Sequence, residues 1–433
     1  MSAEEQTFKP SSTARNVCLV LVVIGLVCFG IGLSNEDTVA AAWSHWLLAT
    51  FLTTIVSLFG LFFIAMNNAC TGAWSVVIRR VLEAMTAGLW VGLIGMLVLM
   101  AGLISMDDHD HPVKNLDKIY EWMHVDDHEG EAEGHDEEHG AHGHGDEHHD
   151  AGHALHVKLI KHKTAFLNKE FFIGRIFAYF AIWLFFAYIM IRNSRKQDID
   201  GDVKHTTTNL RLSCLFLVLF CLTVSLAAFD WIMSLDTTWF STMFGAYQFA
   251  ALFNGGTAAA IVLLVLIQKM GYLKEVNKEH YHNLGIWLIV TCTFWAYLWF
   301  CQLLLIWYAN IPEETQYFIK RMKDNDGGWN CIFYLDVIWN FGIPFLLLLP
   351  QPVKRNIKLL FWISIWILVG RWIDLWFCIL PTTQEHWWDL DISGGTIFAF
   401  VGLFGLVVFK ALGRAPMLPK KDPFLDESLH YKQ

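Results

Sequence analysis

Two cysteine patterns are missing from this chain: it has no Cys-x-x-Cys and no Cys-x-x-Cys-His. Its 9 cysteines, Cys18, Cys28, Cys70, Cys214, Cys221, Cys292, Cys301, Cys331 and Cys378, lie scattered in or beside apolar runs. Iron–sulfur clusters and attached haems need grouped ligands. The thiols are therefore expected to be inert, and the chain to bring no cluster or c-type haem of its own. Histidine is as sparse in the apolar runs. Only His45 comes near one, at its edge, so the paired intramembrane histidines of a b-haem are not expected either. Short alternating apolar and polar segments, the mark of a membrane β-barrel, are absent. Positive charge is also in short supply: 31 Lys and Arg against 41 Asp and Glu leave a net charge of −10, which offers nothing to nucleic acid.

What is abundant is apolar surface. Of 433 residues 55% are apolar, with 33 Phe and 20 Trp, far more than a soluble core requires. Ten runs reach or approach the length of about 20 residues that a helix needs to cross a bilayer. They cover roughly 16–33, 43–66, 74–104, 171–192, 210–235, 240–268, 283–309, 329–350, 357–380 and 395–412. An all-α integral membrane fold with ten transmembrane helices follows, since only helices and closed barrels satisfy their backbone in lipid. The first run could be mistaken for a secretion signal with "VAAAW" behind it. However, "MSAEEQTFKPSSTAR" sets Glu4 and Glu5 against Lys9 and Arg15, without the positive charge a signal carries. It is read as an anchor helix. Lys and Arg are about twice as numerous on the segments that share a side with the amino terminus as on the other side, which predicts that both termini are cytoplasmic.

The chain divides into 1–42, a tail and anchor helix; 43–104, the first half of a bundle; 105–170, a loop; 171–235, the second half of that bundle; 236–380, a second bundle; and 381–433, a last helix and tail. The loop holds "DDHEGEAEGHDEEHGAHGHGDEHHDAGHALH". Its imidazoles, including His135, His139, His142, His144, His148 and His149, could collect metal ions adventitiously. The composition otherwise predicts a solvated acidic segment with no specific metal site.

Charges inside the runs are the informative residues, because each costs several kcal/mol in lipid unless paired or hydrated. At about 1.5 Å per residue, Arg175 and Asp230 come about 6 and 7 Å below the outer ends of the fourth and fifth helices, so they can pair. Asp336 and Asp374 come about 10 Å deep on the eighth and ninth helices, and Arg371 about 15 Å. Arg371 and Asp374 are three apart and share a helix face. Tyr247, Gln248, Asn254, Tyr297, Gln302 and Asn340 lie at comparable depths. One guanidinium against two carboxylates leaves one acid poorly compensated, a candidate for holding a proton at neutral pH; the alternative is a static salt bridge between two helices. On the other side Arg79 and Arg80 read as anchors at the phosphate level. Glu83, a turn deeper, could open an inner half-path.

The stretch "FDWIMSLDTTWFSTMFGAYQFA" at 229–250, the "NGG" at 254–256 and "DLWFCILPT" at 374–382 resemble the ActF family. These are the second large membrane subunits of alternative complex III, within the NrfD and polysulfide-reductase membrane-anchor superfamily. The resemblance runs over essentially the whole apolar chain. It implies two four-helix bundles, helices two to five and six to nine, with helices one and ten peripheral, in a bacterial inner membrane. It implies partners: a homologous NrfD-like membrane subunit, a periplasmic iron–sulfur subunit, multihaem cytochrome c subunits and, in some assemblies, a terminal oxidase. Haem c and iron–sulfur clusters would sit in those partners, with quinol or menaquinol oxidised by the complex, lipids around it, and no cofactor bound by this chain. The sister subunit is expected to carry the quinol site. With no histidine expected within a helix, this chain is expected to conduct protons or scaffold its partners and not to be catalytic alone. A metal-ion or small-solute transporter with a His-rich collecting loop is the alternative from another class. A related anchor working towards quinone reduction is a third.

Overall fold

The computed structural model describes residues 7–106, 119–123, 160–322, 328–384, 386–388 and 391–432. Among these the fold is all-helical, with one isolated bridge between Thr7 and Pro416 and no strand. Among the described residues ten helices are long and apolar enough to cross a membrane: α1 Ser12–Leu33, α2 Val39–Ala69, α3 Ala73–Ser105, α4 Lys169–Asp200, α5 Lys204–Leu235, α6 Met243–Lys269, α7 Lys278–Ala309, α8 Trp329–Leu348, α9 Ile357–Thr382 and α10 Ile392–Leu412. The chain is a multi-pass membrane protein. The His-rich stretch, with His135, His139, His142, His144, His148 and His149, lies outside the described residues.

Several helices outrun the apolar stretches that announced them, and local hydrogen bonding explains why. α4 continues through a polar end to Asp200, where Gln197 donates to the Thr206 hydroxyl at 2.7 Å and to the Lys421 carbonyl at 3.4 Å; Gly201, at φ 73°, then ends it. α7 starts at Lys278 because Asn277 caps it, accepting from the Glu279 and His280 amides while the His280 ring returns a bond to the Asn277 backbone. Such a reciprocal cap fixes a helix start whatever the hydropathy around it. A shorter helix, Pro312–Met322, follows α7 where only a loop was expected.

α2 and α6 are almost wholly buried and touch each other, while α1 is mostly exposed. α2 also packs on α3, α5, α9 and α10; α6 packs on α5, α7 and α9; α4 joins α3 to α5, α8 joins α7 to α9, and α1 lies along α10. The α2–α6 contact depends on a small residue. A Cβ on Gly256 would stand 2.0 Å from Phe59 Cγ, and without a hydrophobic drive between helices in lipid such close approaches supply the attraction. Gly256→Ala is expected to lower stability by about 1–3 kcal/mol through overpacking, measured as thermal unfolding in detergent. Gly174→Ala, with nothing within 4 Å of its Cβ, should not.

The last twenty or so residues are laid across the face that carries both termini. Ser428 Oγ accepts from the Val77 amide at 3.2 Å and donates to the Trp74 carbonyl at 2.9 Å. The Ser428 and Tyr431 carbonyls meet His280 Nε2 at 3.1 Å and Asn277 Nδ2 at 3.2 Å. Asp422 is ion-paired with Arg79. The tail thus holds the starts of α3 and α7 and the end of α4 in one place.

Candidate functional site

Within α6–α9 a polar network is sealed from solvent. Arg371 on α9 donates through Nη1 to Asp374 Oδ2 at 3.1 Å and through Nε to Asn340 Oδ1 at 3.0 Å. Asn340 in turn donates through Nδ2 to Asp336 Oδ1 at 2.6 Å and to the Gly370 carbonyl at 3.0 Å. Tyr247 on α6 donates its hydroxyl to Asp374 Oδ1. The Arg371 guanidinium lies over the Trp295 ring, 4.3 Å from its centroid, a favourable place for a desolvated cation. Asp336, Asn340, Arg371 and Asp374 are each no more than 1% exposed. One guanidinium therefore faces two carboxylates, but it touches only Asp374; Asn340 relays the contact to Asp336.

The local backbone explains how α8 presents Asn340. Residues Ile338–Gly342 form a π-helical turn, a one-residue widening that occurs often at functional sites. It sets Asn340 between Asp336, one turn earlier, and α9. Several buried polar atoms here have no protein hydrogen-bond partner: Asp336 Oδ2, Arg371 Nη2, Asn254 Oδ1 and both amide atoms of Gln248. Asn254 Nδ2 reaches Thr291 Oγ1 and Cys292 Sγ, each at 3.1 Å. Orphaned polar groups at this density are rare in interiors and are ordinarily met by internal water.

A second site joins α4 to α5. Arg175 grips Asp230 with two bonds, Nε to Oδ2 at 2.8 Å and Nη2 to Oδ1 at 3.1 Å, and gives Nη1 to the Phe166 carbonyl at 2.8 Å. The Phe166 and Phe171 rings cover its guanidinium at 4.0 and 4.4 Å. Tyr179 donates to Asp230 Oδ2 at 2.6 Å. Asp230 is 1% exposed, and its carboxylate is fully engaged, unlike that of Asp336.

At the terminus face Glu83 accepts from Arg80 Nη1 at 2.6 Å, and Arg80 is also ion-paired with Asp198 and donates to Ser194 at 3.2 Å. Arg80 is buried. The two arginines expected as phosphate-level anchors are instead ion-paired, Arg80 inside the protein and Arg79 under the tail. Glu83 is buried beside them.

Other expectations separate. Gln302 is buried on α7 yet makes no hydrogen bond to the Arg371 network. Tyr297, 62% exposed, stands outside it. Helices do contain histidine: His45 lies within α2, and His205 within α5 and His280 and His282 within α7, the last three because α5 and α7 start before their apolar runs. His280 is committed to the tail, and His45 is buried with Nδ1 unpartnered. Among the described residues no three His, Cys, Asp or Glu side chains are grouped to hold a metal ion.

Sequence reasoning also missed two contributors. Tyr179, one turn after Arg175, could have been found by its spacing. Arg321, outside every apolar run, is 0% exposed: it pairs with Asp236 at 3.0 Å and donates to the Phe377, Cys378 and Tyr317 carbonyls. Nothing in hydropathy marks an arginine on an amphipathic helix as the buried one. Beside it burial pushes the Tyr317 phenol well above its ordinary range. Lys163, donating to the Thr237 carbonyl, is held below the usual lysine range by burial. No protein-family model matches the chain, and no curated protein matches it.

Proposed function

We propose that the chain is a membrane subunit of a respiratory complex that oxidises quinol and passes electrons to cytochrome c or to an oxidase, of the ActF kind. In this reading it contributes proton half-channels and scaffolding while a sister NrfD-like subunit oxidises the quinol or menaquinol. Haem c and iron–sulfur clusters belong to the periplasmic partners. The helices group as two four-helix bundles, α2–α5 and α6–α9, with α1 and α10 outside and both termini in the cytoplasm of a bacterial cell. The neighbour pattern of the helices and the distribution of Lys and Arg support this grouping and orientation.

The observation that carries the proton role is the surplus acid. Arg371 is in contact with Asp374, whereas Asp336 meets only the neutral amide of Asn340 and keeps one oxygen unpartnered. A buried carboxyl with one neutral donor and a free oxygen can gain and lose a proton without breaking an ion pair.

Asp336→Asn tests this. The amide matches the acid in volume, so the complex should assemble and bind its haem and iron–sulfur partners as the wild type does. Coupling should weaken. Moving one charge across the membrane is worth about 2.3 kcal/mol per 100 mV, so wild-type turnover in sealed vesicles should slow against an imposed potential and the variant's should slow less. Equal slowing in a normally assembled variant would reject Asp336 as a proton-loading group. A purified chain with no redox partner but with metal uptake would replace the respiratory reading by the transporter.

A further inference from the structure

At the terminus face, between the ends of α1 and α10, lies a cavity of about 420 Å³ lined by Phe8, Pro10, Arg15, Leu406, Phe409, Lys410, Gly413 and Arg414. Its lining is divided by chemistry. Phe8 and Phe409 are buried and form the floor, whereas Arg15, Lys410 and Arg414 are exposed around the rim. Among the described residues no carboxylate lines it, and none of the three cations is ion-paired.

The floor is held in place. Phe8 packs on Phe409 and Tyr272 with ring centroids at 5.6 and 5.0 Å. On one side Thr7 forms a bridge with Pro416, and on the other the Lys9 amide donates to the Tyr272 hydroxyl at 3.2 Å. The height is that of a membrane interface: Arg15 stands in the first turn of α1 and Lys410 in the last turn of α10. From there the exposed apolar side chains Val17, Val20, Ile24 and Val401 continue along both helices into the spanning region.

We propose that this cavity is a binding site for an anionic phospholipid. The phosphodiester sits among Arg15, Lys410 and Arg414, the glycerol backbone rests on Phe8, Leu406 and Phe409, and the acyl chains run along the exposed sides of α1 and α10. Three cations with no ion-pair partner among the described residues select a negative headgroup, because each basic residue near an anionic lipid surface adds attraction that a zwitterion does not repay. The apolar floor selects a lipid over a small anion, because free phosphate gains nothing from it. The site does not depend on the respiratory reading.

The test uses the purified full-length chain and titrates phosphatidylglycerol, phosphatidylcholine and inorganic phosphate, following bound lipid by native mass spectrometry. Phosphatidylglycerol should bind tightly, with phosphatidylcholine much weaker and phosphate unable to displace it at equal concentration. Arg15→Gln, Lys410→Gln or Arg414→Gln should each weaken phosphatidylglycerol about fivefold, and the triple variant roughly 100-fold. The charge-preserving triple Arg15→Lys, Lys410→Arg and Arg414→Lys should retain binding and guards against misfolding of the first triple. A control triple of exposed cations on the same face, Lys196→Gln, Arg211→Gln and Lys358→Gln, should leave affinity unchanged. Equal binding of the two lipids, full retention by the neutral triple, or equal loss in the control triple would each overturn the site. Displacement by phosphate as effective as by lipid would make it a small-anion site and overturn the lipid assignment.

Discussion

Arg371→Ala should lower the stability of the folded protein by about 3–5 kcal/mol, the usual cost of breaking a buried ion pair from one side. The guanidinium is 1% exposed and neutralises Asp374, and its loss also leaves Oδ1 of Asn340 without its donor, while Asn340 is the side-chain hydrogen-bond partner of Asp336 among the described residues. Thermal unfolding of the detergent-solubilised protein reads the effect. Arg371→Lys should recover only part of it, since an ammonium cannot reach Asp374 and Asn340 together with the planar fork that does so here. Arg371→Ala with Asp374→Ala should recover more than the sum of the single losses allows. An Arg371→Ala protein that unfolds with the wild type would mean that the guanidinium does not hold α8 and α9 together.

The Arg175–Asp230 pair should behave as a unit of comparable size. Either alanine substitution leaves a charge at a buried position, and about 3–5 kcal/mol is again the scale. The two sides are not equivalent, however. Asp230 without Arg175 still accepts from Tyr179 at 2.6 Å, while Arg175 without Asp230 keeps the Phe166 carbonyl at 2.8 Å and two covering rings. Asp230→Ala should therefore be the milder change, because a guanidinium near a membrane surface can reach outward to water. A double-mutant cycle in thermal unfolding checks it: a coupling energy near zero would reduce the pair to two independent buried groups.

Much of the architecture was legible because lipid enforces it. A helix must bury or pair each charge it carries into the bilayer, so Arg175, Asp230, Asp336, Arg371 and Asp374 stood out against their apolar neighbours before any coordinates. "NGG" entered only as part of the family resemblance, and a physical reason for its last glycine appears at Gly256, where the Phe59 ring occupies the place of a side chain. What stayed hidden was decided by contacts distant in sequence or by irregular backbone. The π turn that aims Asn340 has no compositional mark. The polar extension of α4 survives only because Gln197 and Asp198 find partners in the tail and on α3. The starts of α5 and α7 lie outside their apolar runs, which is why His205, His280 and His282 were placed in loops. Hydropathy reports what lipid rejects, and caps and ion pairs beyond its edge leave it unchanged.

The tail also bears on the order of events during synthesis. Ser428 meets Val77 across 351 residues of sequence, and Asp422 meets Arg79 across 343. A ribosome adds about 5–20 residues per second, so α3 is complete for roughly 15–65 s before its partner exists. During that interval Arg79 lacks its carboxylate and the Val77 amide lacks its hydroxyl. The finished contacts form only after α10 has been made: a chain cut between Leu412 and Asp422 can hold all ten spanning helices and still leave that face unfastened.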